Sequence, residues 1–349
     1  MKRILVVKTS SMGDVIHTLP AITDAVRALP DVRFDWVVEE GFAEIPAWHP
    51  AVDRVIPVAI RRWRKHPVKM FQSGEWQRFR AQMGAHPYDA IIDAQGLVKS
   101  AVLTRLATGR ICGYDRHSVR EPLASLAYQH RFTVSKEQHA VERIRNLFAQ
   151  ALAYPKPLTE PDYGLERNRF CSNPFCTDQE QPYVLFLHGT TRADKHWPDV
   201  YWQTLCKLVC ESGVAVKLPW WSDTEHRRAK LIAESHHRAE VLTRTNLAGM
   251  AAMIAGARAV VSVDTGLGHL AAALAVPNLS LYGPTSPGLI GAYGPNQHHL
   301  HARDFTLSGV PRVQPAVFAP LTPAIVFTRV RELLNGNASV STSFTGKPL

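Results

Sequence analysis

The sequence predicts an α/β protein of two Rossmann-like halves, each a parallel sheet flanked by helices, and three observations carry that expectation. Short apolar runs bounded by turn residues alternate with stretches of helical periodicity, the pattern of parallel strands joined by helical crossovers. The alternation pauses once, in a polar, Pro-rich stretch from Tyr154 to Gln181, and then restarts. At 349 residues the chain is also too long for one ordinary domain, since about 150 residues per domain suggests two. The expected boundaries are 1–165 for the first half and 180–320 for the second.

The elements follow in order. Ile4 to Val7 reads as a short buried strand, and the periodic set Val15, Leu19, Ile22 and Val26 places a helix over 15–28. FDWVVE (34–39) and RVIPV (54–58) are strands, 74–84 a helix and DAIIDA (89–94) a strand. A helix near 97–107, the strand RICGYD, a helical stretch around 120–130 and a long helix over 137–153 close the first half. The second half runs YVLFLHG (183–189), helix 199–212, AVKLPW (215–220), helix 223–235, AEVL (239–242), helix 247–256, AVVSVD (259–264), helix 266–275 and NLSLYG (278–283). PAIVFTRVRELL (323–334) gives a last helix, within 321–335, expected to pack back toward the first half. Residues 336–349, GNASVSTSFTGKPL, have the composition of a disordered tail. Two such halves put ligands in the cleft between them, and that architecture alone serves kinases, binding proteins, dehydrogenases and glycosyltransferases alike.

Composition narrows the classes. No run of 18 apolar residues exists, so no helix is expected to span a bilayer. Lys8 interrupts the first apolar run after four residues, so the N-terminus does not read as a signal peptide and the expected location is cytoplasmic. Five cysteines form an odd set without paired zinc spacing, as idle thiols in a reducing compartment would. None of the sixteen histidines sits in H-E-x-x-H, and His236-His237 reads as solvated surface; no metal is expected. The net charge of +10 suits nucleic acid, anionic headgroups or phosphorylated substrates. Nucleic acid is not expected, for want of a recognition-helix motif or a strand platform with interleaved aromatics. RRWRKHPVK (61–69) sets Arg61, Arg62, Arg64, Lys65 and Lys69 around Trp63. It suits a solvated loop, or a membrane interface with the indole at headgroup level.

Three turns carry chemistry. KTSSMGD (8–14) leaves the first strand and ends in Gly13-Asp14. An Asp there can cap the following helix, or, at the carboxyl end of a parallel sheet where ligands sit, act as a general base. The turn is neither G-x-G-x-x-G nor G-x-x-x-x-G-K-[ST], so no nicotinamide or kinase fingerprint is present, and there is no D-x-D to hold a divalent metal on a diphosphate. HGTTRADKHWP (188–198) offers Thr190, Thr191, backbone N–H groups and Lys195 to phosphate oxygens, unless it is only a hydrophilic loop. SVDTGLGHLAAAL (262–274) passes Asp264 and Thr265 into a helix near Gly266. Gly266 and Gly268 there allow close backbone approach. His269 lies one turn beyond Gly266 on the same face, as a ligand contact or a structural histidine.

Those turns, taken with FDWVVEEGFAEIP, IPVAIRRWRK, YDAIIDAQGLVKSA, REPLASLAY, QHAVERIR and YGPTSPGLIGAYG, resemble in order and spacing the bacterial lipopolysaccharide heptosyltransferases, over roughly residues 1–300. The resemblance implies a GT-B glycosyltransferase whose two Rossmann-like domains face a central cleft. Members move L-glycero-D-manno-heptose from ADP-heptose to the Kdo of Kdo-lipid A, inverting the anomeric centre. They work at the cytoplasmic face of the inner membrane, in peripheral contact with its anionic surface and without an obligatory metal or other cofactor. By the same resemblance Asp14 is the base, and Lys195 with Thr190 and Thr191 contacts the diphosphate. Asp264, Thr265, Gly266 and His269 form the donor loop, and Glu225 in SDTEHRRAK holds the ribose hydroxyls. Ser11, Gly13, Arg61, Arg62, Arg64 and Lys65 lie on the acceptor side. Gly268 stands where close relatives are expected to carry serine, and Thr245 where a methionine near the adenine is expected. The resemblance leaves room for a second heptosyltransferase or another core transferase with the same donor. A sugar-nucleotide-binding protein without turnover is the reading from outside the enzyme class.

Overall fold

The computed structural model describes residues 1–171, 182–306, 309 and 312–336. The chain divides into two compact units, Met1–Leu165 and Glu166–Leu349. Cys176 and the tail beyond residue 336, with the expectations placed on them, lie outside the described residues.

The first unit holds β1 (Lys2–Val7), β2 (Val32–Glu39), β3 (Val52–Val58), β4 (Pro87–Asp93), β5 (Thr108–Tyr114) and β6 (His130–Phe132). They form one parallel sheet in the order β3-β2-β1-β4-β5-β6. Ile4 pairs with Ala90 and Val7 with Asp93. A parallel sheet covered by helices on both faces buries its central strands completely, which is why Ile4 to Val7 is an unbroken apolar run with no residue above 1% exposed. The helices Leu19–Ala28 and Ala140–Leu152 pack on one another across this sheet. Buried Arg145 joins them, its Nε donating to Asp24 Oδ2 at 2.6 Å.

Local chemistry reshapes three expected elements. The single helix expected over 15–28 starts at Met12, stops at Ile16 and resumes at Leu19, because Pro20 has no N–H to continue an uninterrupted ladder. The stretch expected as a helix around 120–130 is a 3-10 turn, Pro122–Ala127, followed by the short strand β6. The basic run expected as a loop is helical, over Ile60–Lys65 and Pro67–Gln72, broken at His66 because the residue before a proline is held out of the helical region.

The second unit repeats the plan with β7 (Tyr183–Leu187), β8 (Ala215–Leu218), β9 (Ala239–Val241), β10 (Ala259–Val263), β11 (Asn278–Tyr282) and β12 (Gln297–His301). Its parallel order is β12-β11-β10-β7-β8-β9, with Ala259 opposite Val184 and Ser262 opposite Leu187. β12 was not anticipated, since QHHLH has the polarity of a loop. A buried polar seam crosses its neighbours: Ser262 Oγ donates to Asn278 Oδ1 at 3.1 Å, and Asn278 Nδ2 donates to Gln297 Oε1 at 3.1 Å. The last helix, Pro323–Leu334, expected to pack back toward the first half, sets Val326, Val330 and Leu334 into the second unit's core beside Leu205 and Val209. Among the described residues no helix is long and apolar enough to cross a membrane.

In each sheet the strand order reverses between the first and fourth strands of the unit, at β1/β4 and at β7/β10. Open α/β sheets bind ligands outside the carboxyl ends of strands at such a reversal.

Candidate active site

The turns that follow the strands flanking each reversal are stitched together. In the first unit the backbone N–H groups of Thr9 and Ser10, after β1, donate to Gln95 Oε1, after β4, at 3.0 and 3.1 Å. In the second, Thr190 Oγ1, after β7, donates to the Asp264 carbonyl, after β10, at 3.0 Å. The motifs singled out in the sequence therefore sit where the topology opens a binding site.

Asp14 occupies the third position of the helix Met12–Ile16 and the N-cap is Ser11, so Asp14 is not the N-cap residue; it accepts the N-cap backbone N–H from inside the first turn instead. Ser11 donates to Asp14 Oδ2 through its backbone N–H at 2.8 Å and its Oγ at 3.1 Å. Asp14 Oδ1 lies 3.4 Å from the Lys8 ammonium, and the aspartate side chain stays 32% exposed against 6% for Lys8. Burial pushes the Asp14 carboxyl up, but the Lys8 charge and the two Ser11 donors outweigh it, and the net shift is downward. The carboxylate is ionised at neutral pH with one face open to solvent, the state a general base requires. Gly13 is buried in the same turn.

Lys8 is the partner that sequence reasoning left out; a lysine directly after an apolar strand and six residues before an acid was the available signal. Its Nζ also donates to the Ala94 carbonyl at 3.0 Å. Asp93, fully buried at the end of β4, accepts from Tyr128 Oη, Ser100 Oγ and the backbone N–H groups of Gln95 and Gly96 at 2.7 to 3.0 Å. These bonds fix the Gln95 turn. Burial is the strongest influence on Asp93 and pushes its carboxyl up against all four donors.

The basic stretch does not behave as one unit. Arg62 forks onto Glu40 at 2.9 and 3.1 Å and reaches Glu75 at 3.0 Å. Arg62 first and the Trp63 indole second hold the Glu75 carboxyl down at about 2. Trp63 is buried, donates to Glu75 Oε2 at 2.7 Å and packs edge-on against Trp76 and Phe79, so it is a core residue and not an interfacial indole. Arg61 lies over the Phe42 ring and donates its backbone N–H to Glu39. Arg64 and Lys65 are exposed.

In the second unit Asp264 organises its neighbours. Its Oδ2 accepts from Lys195 Nζ at 2.6 Å and from Thr285 Oγ1 at 2.7 Å, while its carbonyl holds Thr190. Thr285, in the YGPTS turn after β11, was also missed by sequence reasoning. Thr191 is exposed on the same loop. Thr265 caps the helix Gly266–Ala273 without spending its hydroxyl on the cap, and the first N–H groups of a helix are donors an anion can use. His269 is buried one turn into that helix. Gly268 is glycine because a Cβ there would lie 2.9 Å from Ser262 Oγ, part of the buried seam.

Glu225 caps the helix Asp223–Ala233, accepting from the Trp221 and Ser222 N–H groups at 2.7 and 3.1 Å through Oε2 alone. Its Oε1 faces Gly189, where a Cβ would come within 2.3 Å of it. That glycine brings the Thr190 loop against the carboxylate, and Oε1 keeps accepting capacity for hydroxyl donors. Thr245 packs against Gly249, where a Cβ would meet Thr245 Oγ1 at 2.0 Å, and Arg244 lies over the Trp220 and Trp221 rings. Among the described residues no group of three or more His, Cys, Asp or Glu could hold a metal ion.

Two Rossmann-type units, one with an ionised acid at its switch point and the other with a cationic and hydroxyl-rich loop beside a helix start, define a GT-B glycosyltransferase. The chain belongs to glycosyltransferase family 9, the heptosyltransferases, whose profile matches residues 76–308. It is 54% identical to lipopolysaccharide heptosyltransferase 1 of Pseudomonas aeruginosa, over 95% of this chain and 98% of that one. It is 56% identical to lipopolysaccharide heptosyltransferase 1 of Escherichia coli K12, over 84% and 92%. The solved structure of E. coli heptosyltransferase WaaC with ADP superposes with a TM-score of 0.87 at 52% identity, covering 95% of this chain and 99% of that one.

Proposed function

We propose that the chain transfers L-glycero-D-manno-heptose from ADP-heptose to a Kdo hydroxyl of Kdo-lipid A, inverting the anomeric centre. The observation that carries this reading is the Asp14 carboxylate, half-open and kept ionised by Lys8 and Ser11 at the first unit's switch point. An inverting single displacement needs a base for the acceptor hydroxyl and stabilisation of the leaving group. Asp14 takes the hydroxyl proton, the acceptor oxygen bonds to the anomeric carbon, and the bond from that carbon to the diphosphate oxygen breaks, ADP leaving with the electron pair.

Lys195 supports the departure. An ammonium has three donors, of which one is given to Asp264; the other two, with Thr190, Thr191 and the Gly266 helix start, serve diphosphate oxygens. Asp264 orients that lysine and, with His269, lines the sugar side of the donor. Glu225 Oε1 takes ribose hydroxyls. On the acceptor side Ser11 and Gly13 shape the turn, and Arg61, Arg64 and Lys65 meet the acidic acceptor. Arg62 acts through Glu40 and Glu75 by holding that helix in place. No metal is assigned a role. The acceptor is a lipid, so the reaction takes place with the protein on the cytoplasmic face of the inner membrane.

Incubation with ADP-heptose and Kdo-lipid A, followed by ADP release, product mass and the anomeric configuration of the new linkage, tests the reading. One heptose added with inversion is the expected product. Tight donor binding without transfer to this acceptor, but with transfer to one already carrying heptose, would replace the assignment with the second-heptose reaction.

A further inference from the structure

We propose that the face formed by the helix Val98–Thr104 and the 3-10 turn Pro122–Ala127 is a docking surface for an anionic lipid bilayer; the inference rests on the reading of the acceptor as a membrane lipid. These two elements pack against one another, held by Val98 N–H donating to Glu121 Oε2 at 2.7 Å and Glu121 N–H donating to the Gly96 carbonyl. Each turns an apolar pair outward. Val98 and Val102 are four apart on an α-helix and share a face, 41% and 58% exposed. Leu123 and Leu126 are three apart in a 3-10 turn, where such positions eclipse, and are 70% and 68% exposed. Side chains of this size are ordinarily withdrawn from water, and four of them on two joined elements mark an interaction surface.

Charge identifies the occupant. Residues 98–131 carry six lysines and arginines against two acids, Asp115 and Glu121. Lys99, Arg105, Arg116 and Arg120 are exposed, while Glu121 is committed to the Val98 N–H. Exposed apolar side chains on a stretch of chain with such an excess of exposed cations match the headgroup and upper acyl region of an anionic bilayer, where each cation near the surface strengthens attachment roughly fivefold. The surface also begins at the turn after β4, whose Gln95 holds the Asp14 turn through Thr9 and Ser10. Docking there brings the carboxyl end of the first sheet to the membrane that carries the acceptor.

The test is co-sedimentation of the full chain with vesicles of phosphatidylethanolamine and phosphatidylglycerol, and with phosphatidylcholine alone. The native chain should bind the anionic vesicles and lose binding as salt rises. Leu123→Glu with Leu126→Glu should weaken that binding about tenfold or more, while turnover on a deacylated, water-soluble acceptor stays at the native rate. Val68→Glu with Phe71→Glu, on the other exposed apolar pair of this unit, should leave vesicle binding within twofold. Absent native binding, binding indifferent to the Leu123 and Leu126 changes, or loss only in the Val68 and Phe71 variant would overturn the proposal. So would a native dimer that the leucine variant splits without any native affinity for vesicles. Vesicle binding by this face in a chain that transfers no heptose would instead leave the docking surface standing and remove the transferase reading.

Discussion

Replacing Lys8 by methionine keeps the length of a side chain that is 6% exposed and removes the charge 3.4 Å from Asp14 Oδ1. At an effective dielectric near 20 that separation corresponds to about 5 kcal/mol of gross attraction, much of it consumed by burying the ammonium. Burial, the largest single influence on Asp14, acts upward, and Lys8 is the first of the groups that reverse it. The base works as a carboxylate, so a depressed value keeps it active down to acidic pH, and its activity falls as pH drops through that value. Without Lys8 the acid limb of the kcat/KM profile should move to higher pH. At a fixed pH on that limb the variant should lose about tenfold in rate for each pH unit of displacement, with near-native rates regained on the alkaline side. The assay is ADP release across the pH range with saturating acceptor. An acid limb in the native position, with a uniform loss at every pH, would refute the idea that Lys8 sets the ionisation of Asp14.

Lys195→Met should weaken ADP-heptose binding about tenfold to a hundredfold, the range for a lost charged hydrogen bond, as read by calorimetric titration; unchanged affinity would make the Lys195–Asp264 pair purely structural. Arg64→Ala with Lys65→Ala should raise acceptor KM and flatten its salt dependence with kcat nearly intact, whereas Arg62→Ala should loosen the helix Ile60–Lys65, which limited proteolysis would detect. Gly268→Ser should cost about 1–3 kcal/mol by overpacking against Ser262 Oγ, measured by urea unfolding, and pairing it with Ser262→Gly should recover part of that loss.

The strands of both sheets were legible because parallel strands buried on both faces write unbroken apolar runs, as Ile4 to Val7 and Val184 to Leu187 do. β6 and β12 were not: HRF is only three residues long and largely exposed, and QHHLH sets a single leucine among polar side chains. The donor turns were readable from glycines and hydroxyls at a strand-to-helix junction. Their internal wiring was not: Lys195 to Asp264 and Thr285 to Asp264 join residues 69 and 21 apart, and no periodicity encodes such pairings. Trp63 shows the same limit from the other side. Its basic neighbours suggested an interface, but Trp76 and Phe79, supplied by the helix Glu75–Met83, bury it. Gly268, read in the sequence as a site of close backbone approach and as a departure from an expected serine, acquires its reason from Ser262, whose side chain reaches it through the fold and not along the chain.

The most direct measurement is turnover by Asp14→Asn with ADP-heptose and Kdo-lipid A, set beside donor affinity in the same variant. Asparagine retains a carbonyl oxygen to accept from the Ser11 N–H but cannot take a proton. The expected result is a fall in kcat of about 10²- to 10⁴-fold with ADP-heptose bound as tightly as by the native chain. Turnover within a few-fold of native would contradict the assignment of Asp14 as the base.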